Sequence, residues 1–195
     1  MIKLDYFDLI SRKPIEIENV GSIRCPLLSD IDDIKYYTYC SYIQALKITP
    51  DDFFDNLEEK YGIKVPVDQI MEITKFDLIL SDGSLLQEIV NAFNFFFVEE
   101  VYFDPEQMVF VICTMNDCEE ENIVGYISRD NYSDIVNIIL QRINIEVDEN
   151  EVDDLSKVKS KLGRKIFEKI REGRKKMKKA KEQAVGEKHQ SMANI

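Results

Sequence analysis

The chain has 195 residues, 45% of them hydrophobic, enough for one good core plus an appendage but not for two full domains. Its net charge of -12 and its pI near 4.6 disfavour a protein that holds nucleic acid through bulk charge alone. One histidine and seven glycines leave little material for histidine-based catalysis or for loops that cradle phosphate.

At the start, Leu4-Asp5-Tyr6-Phe7-Asp8-Leu9-Ile10 spaces its apolar residues three and four apart, which predicts a short helix broken at Ser11-Arg12-Lys13-Pro14. Ile15-Glu16-Ile17 and Ser22-Ile23-Arg24-Cys25 alternate on either side of Glu18-Asn19-Val20-Gly21, the pattern of a hairpin, and Pro26 stops it. Ser29, followed by Asp30, Asp32 and Asp33, reads as an N-cap with acids at the positive end of a helix that runs to about Lys47. Thr49-Pro50-Asp51-Asp52 is a second start of the same kind, with Phe53, Phe54 and Leu57 on the buried face. Further short helices are expected over about 66–81 and 84–97, parted at Asp82-Gly83.

From Glu99 the period shortens. Val101-Tyr102-Phe103, Met108 to Cys113 and Ile123 to Ile127 are β-prone runs that predict a three-stranded meander. Arg129-Asp130-Asn131 then offers an N-cap, and Ile135, Val136, Ile138, Ile139 and Ile143 form the apolar stripe of a helix ending near Asn144 and packing on the sheet.

Charge divides the chain more sharply than composition does. Residues 1–154 carry 11 Lys+Arg against 33 Asp+Glu, a net of -22, whereas 155–195 carry 14 against 4, a net of +10. The division predicts an acidic body over 1–146, an acidic linker over 147–154 and a basic tail over 155–195 whose end is disordered. In that tail Leu155, Val158, Leu162, Ile166, Ile170 and Met177 recur at helical spacing among lysines and arginines, so a long amphipathic helix is expected to about Ala184. Gly163 and Gly173 each cost about 1 kcal/mol against alanine there, and the helix is expected to need a partner. The fold class expected is therefore α+β: a helical N-terminal half with a small hairpin, a three-stranded antiparallel meander packed by helices, and a long basic C-terminal helix.

The residues that could carry chemistry are few. Cys25, Cys40, Cys113 and Cys118 include no C-x-x-C pair, and His189 is the lone histidine, so no zinc site is expected and the thiols read as reduced and structural. Gly163-Arg164-Lys165 lacks the earlier glycine and the hydroxyl residue of a phosphate loop. Asp30, Asp32 and Asp33, like Asp51, Asp52 and Asp55, lie where helix starts want acids, and the stretch from Asp148 to Asp154 lacks the glycine and closing glutamate of a calcium loop. No metal, no cofactor and no enzymatic activity are expected. No signal peptide and no run of about 18 apolar residues is present, so no membrane partner is expected.

Binding is left, and the tail is its candidate site. Its basic stripe is compatible with a membrane surface, with phosphate neutralisation on nucleic acid, with simple solvation, or with docking into a groove on a partner protein or a second copy. Docking is the reading preferred, through Leu162, Ile166, Ile170 and Met177 with Arg164, Lys165, Arg174, Lys175, Lys176 and Lys178.

The order of features resembles a known group. The opening Leu4-Asp5-Tyr6-Phe7, the segment Asn94-Phe95-Phe96-Phe97-Val98-Glu99-Glu100-Val101 leading into a meander, Ile127-Ser128-Arg129-Asp130-Asn131-Tyr132, the Lys/Arg-rich helix and Gly186-Glu187-Lys188-His189-Gln190-Ser191 together resemble tail-assembly chaperone-like proteins of tailed phages and prophages from low-GC Gram-positive bacteria. The resemblance spans nearly the whole chain, on structural rather than catalytic motifs. It implies a non-enzymatic protein of the host bacterial cytoplasm that binds the tape-measure protein, the tail-tube protein or both during virion morphogenesis. Longer members continue past the His189 region, where this chain stops at Ile195, as a short translation product or a trimmed chain would. Two other functions stay open at this point: a structural virion component such as a connector or baseplate subunit, and a nucleic-acid-binding regulator acting through the tail.

Overall fold

The computed structural model describes residues 3–70, 72–115 and 121–145. The chain divides into two compact units. The first takes in described residues 3–65, 73–115 and 121–145, and the described part of the second is 66–70 and 72, with the helix Val67–Ile70.

The first unit is α+β, as expected, and its element order explains how. Helix α1 (Tyr6–Ile10) opens with a capping box, in which Asp5 accepts from the Asp8 N–H and Asp8 reaches back to the Asp5 N–H. Strands β1 (Ile15–Ile17) and β2 (Gly21–Ile23) form the antiparallel hairpin, its turn passing through Asn19 at φ 57°. Cys25, expected in the second strand, lies just beyond it.

The single helix expected over 29–47 is two helices, α2 (Leu28–Ile34) and α3 (Tyr36–Lys47). Lys35 joins them at φ 72° and ψ 142°, and a right-handed helix cannot pass through that conformation. The helix start also differs from expectation. The N-cap position falls to Leu27, whose side chain cannot accept; Asp30, third in the helix, accepts the Leu27 N–H at 2.8 Å, and Ser29 lies inside the helix rather than capping it. Helix α4 (Pro50–Tyr61) begins as the sequence implies, with Thr49 Oγ1 accepting from the Asp52 N–H at 3.1 Å, and it stops at Gly62 in the left-handed region, φ 68°.

The helix expected over 66–81 is likewise divided. Helix α5 is the short Val67–Ile70 of the second unit, while α6 (Lys75–Ser81) starts afresh in the first, under a capping box between Thr74 and Asp77. Helix α7 (Gly83–Phe96) follows at once, because Asp82 accepts from the N–H groups of Ser84 and Leu85. Strands β3 (Glu100–Asp104), β4 (Val109–Met115) and β5 (Glu121–Ile127) make the meander in that spatial order, and α8 (Tyr132–Arg142) closes the described chain. Asn131 precedes α8 without capping it; its amide is held by the Ser128 N–H and the Tyr126 carbonyl.

In the first unit one core joins the hairpin, α3, α6, α7, the meander and α8. Phe76 from α6, Phe93 from α7, Phe110 from β4 and Tyr132 from α8 meet ring to ring, with centroids 5.1–6.4 Å apart and mostly edge-to-face. Such aromatic pairs add roughly 0.5–1.5 kcal/mol each beyond the apolar area they bury. Around them lie Ile89, Phe96, Ile112, Ile127, Ile135 and Ile139, all buried. Tyr39 and Tyr42 of α3 add their rings against Phe95 of α7.

The hairpin is tied in by backbone. Arg24 N–H donates to the Phe96 carbonyl at 2.9 Å, Val98 N–H to the Ser22 carbonyl at 3.0 Å and Tyr126 N–H to the Asn19 carbonyl at 3.2 Å. Gly125 permits the last of these: a Cβ at that position would lie 2.2 Å from the Asn19 oxygen.

Candidate functional surface

The ten tail residues singled out for partner binding, Leu162 to Lys178, lie outside the described residues, as do the linker over 147–154 and His189. What the described residues offer for function is a surface and not a cleft of converging chemistry. Among them, no group of three or more His, Cys, Asp or Glu could hold a metal ion, and no helix is long and apolar enough to cross a membrane. Asp30 is engaged by the Leu27 N–H, and Asp51 and Asp52 lie in the first turn of α4, so neither acidic cluster converges on a point. Of the cysteines described, Cys113 is buried in β4, and Cys25 and Cys40 are half-buried and unbridged.

Besides Cys113, the described residues include two deeply buried ionisable side chains. Tyr132 sits in the aromatic core, where burial pushes its phenol far above the usual value of 10.0. Arg142, in the last turn of α8, is 3% exposed; one Nη donates to the Lys13 carbonyl, while Nε and the other Nη have no acceptor. Its position at the carbonyl end of a helix favours a cation.

The outer face of the meander carries a cross-strand row. Tyr102 pairs with Val111 and Val111 with Tyr126, on the side opposite Val101, Phe110, Ile112 and Ile127, which join the core. Both tyrosines are partly exposed, and Val111 between them is buried.

The edges of this sheet are attended to. On β3, the Asn94 amide accepts the Val101 N–H at 2.9 Å and donates to the Val101 carbonyl at 2.6 Å. Pro105, next after the strand, has no N–H to offer.

Exposed apolar side chains lie elsewhere, on α1, where Phe7 is 75% exposed, and around α2 and the start of α3. Leu28 is 86% exposed, Tyr37 85%, Tyr36 72% and Leu27 52%. The same helices pack Ile31, Ile34, Tyr39 and Tyr42 onto the core, so this region is docked on one side and apolar on the other. The Cys40 side chain hydrogen-bonds Tyr36 and raises that phenol's pKa. Asp32 pairs with Lys35 at 3.6 Å, while Asp33 stands exposed.

Sequence reasoning did not single out this surface. Leu27 and Leu28 stand four and three residues before Ile31, on the same helical spacing as the core-packed Ile31 and Ile34, so periodicity did not mark them as exposed. With the geometry in hand, comparison with known proteins matches no family model, no curated relative and no solved structure.

Proposed function

We propose that this chain is a non-enzymatic phage tail-morphogenesis protein, a tail-assembly chaperone that binds the tape-measure protein, the tail-tube protein or both in the host bacterial cytoplasm. The observation that carries the reading is the exposure of Leu27, Leu28, Tyr36 and Tyr37 on a strongly acidic body. A chaperone for long helical proteins must cover their apolar stripes reversibly and keep the complex dispersed. Exposed leucine and tyrosine serve the first need and a net charge of -22 over residues 1–154 the second. The basic amphipathic pattern of 155–195 supplies a second apolar stripe with the opposite charge. The segment order shared with tail-assembly chaperone-like proteins supports the same conclusion.

The test is co-expression with the adjacent tail genes, capture of the chain, and washing at low and high salt before mass spectrometry. A long helical tail protein is expected to survive the high-salt wash and to be lost when 155–195 is deleted. Stoichiometric recovery of the chain in purified virions would make it a structural component instead. Nucleic acid that washes away with salt would make it a regulator.

A further inference from the structure

Helix α4 is amphipathic and yet lies outside the core. At about 100° per residue, Phe53, Phe54 and Leu57 share one face of it. None of its 12 residues is buried, and these three are not among the side chains packed against the core. The two phenylalanine rings meet edge to face, centroids 5.4 Å apart, and all three side chains are half-buried. Charge fills the remaining faces: Asp51, Asp52, Asp55, Glu58 and Glu59 against Lys60 leave the helix a net of -4. A few residues on, Ile70 is 5% exposed and is likewise no member of the core cluster, so its cover is something other than that core.

We propose that α4 is the docking site of the chain's own basic tail, the segment 155–184, and that this contact keeps the tail's apolar stripe covered until a partner takes its place. Charge selects the occupant: residues 1–154 carry -22, and 155–195, with +10, is the one strongly basic stretch of the sequence. Pattern fits as well as sign. Leu162, Ile166 and Ile170 repeat every four residues among Arg164, Lys165, Lys169 and Arg171, an apolar stripe with basic flanks to set against one with acidic flanks. Tethering adds to both, because a segment on the same chain acts at an effective concentration that a separate partner does not reach. Length leaves room for function: the helix expected over 155–184 would run about 45 Å against about 18 Å for α4, so the tail has residues to spare for a first encounter with a partner. The contact concerns the chain alone, and it stands or falls separately from the tail-assembly reading.

The experiment is carbodiimide cross-linking of the full chain, as a dilute equimolar mixture of unlabelled and heavy-isotope-labelled copies, read by peptide mass spectrometry. The reagent joins a lysine amine to a carboxylate in contact with it, so it reports the pairing directly. Cross-links are expected from lysines of 155–184 to Asp51, Asp52, Asp55, Glu58 or Glu59, within chains of one label. Two apolar variants separate the stripe from mere charge: Phe54→Ser with Leu57→Ser on α4, and Ile166→Ser with Ile170→Ser on the tail. Each keeps every charge and is expected to lower the yield of those cross-links at least about threefold. The α4 side chains lie outside the core and circular dichroism checks that the fold is kept, while the tail variant gives the same reading without touching the body. Cross-links spread evenly over the body's carboxylates, none to α4, or an unchanged yield in either variant overturn the proposal. Links that join light to heavy chains overturn it too, because they give α4 to the tail of a second copy.

Discussion

A methyl group at position 125 would stand 2.2 Å from the Asn19 carbonyl oxygen and 2.6 Å from Val20 Cα, both main-chain atoms of the hairpin turn. Main chain cannot step aside as a flexible side chain does, so Gly125→Ala is expected to push the hairpin off the sheet and cost about 3 kcal/mol or more. Urea denaturation of the two chains measures it. The need for glycine here was not legible in the sequence, because it comes from a contact with residues about a hundred positions away. Local chemistry was legible. Thr49 caps α4 and Asp82 opens α7, at the helix start and the helix break the sequence marked, since a cap depends on residues two or three places along. Arg142 is the opposite case: nothing in the sequence singled it out, and only the packing of α8 and the Lys13 carbonyl against it shows that it is buried.

Among the elements, α6 and α7 follow each other with a single residue between them, and Asp82 makes that change of direction. The Ser84 hydroxyl and the Leu85 N–H donate to its carboxylate and hold the pKa below the usual 3.8. A depressed folded-state pKa gives stability that is complete above the unfolded value and fades as the pH falls through the folded one. Asp82→Ala is therefore expected to cost about 1 kcal/mol at neutral pH, with the difference shrinking as the carboxylate is protonated at acid pH, as read from denaturation midpoints along a pH series. The elements themselves were largely visible: hairpin, meander and the stripe of α8 each follow from a period of two or of 3.6. Both helices drawn too long, 29–47 and 66–81, were interrupted without glycine or proline. Lys35 breaks the first through its own dihedrals. Thr74-Lys75-Phe76-Asp77 breaks the second, and that Thr-x-x-Asp spacing is a start signal the apolar periodicity had overridden. The exposure of Leu27, Leu28, Tyr36 and Tyr37 went unread for a related reason, since one continuous helix was expected there.

For the molecule as a whole, the ring of Tyr132 ties α6, α7 and β4 to α8, and its hydroxyl titrates with the folding equilibrium. Burial holds the phenol protonated in the folded chain, whereas the unfolded chain ionises near the usual 10.0. Stability is thus complete below about pH 10 and declines above it, and Tyr132→Phe is expected to make the decline shallower while keeping the ring contacts. Urea midpoints measured on both sides of about pH 10 decide the matter. The edge of the meander bears on how the molecule behaves in company. A strand rim with free main-chain groups can template another strand, which makes it the usual starting point of sheet-to-sheet aggregation. On β3, Asn94 occupies both main-chain groups of Val101 and Pro105 follows the strand, leaving Phe103 alone between the two obstructions. On β5, the hairpin turn takes the Tyr126 N–H. At these three points of the rim an incoming strand finds the main chain already engaged or, at Pro105, without a donor, so this sheet offers a broken template rather than a continuous one.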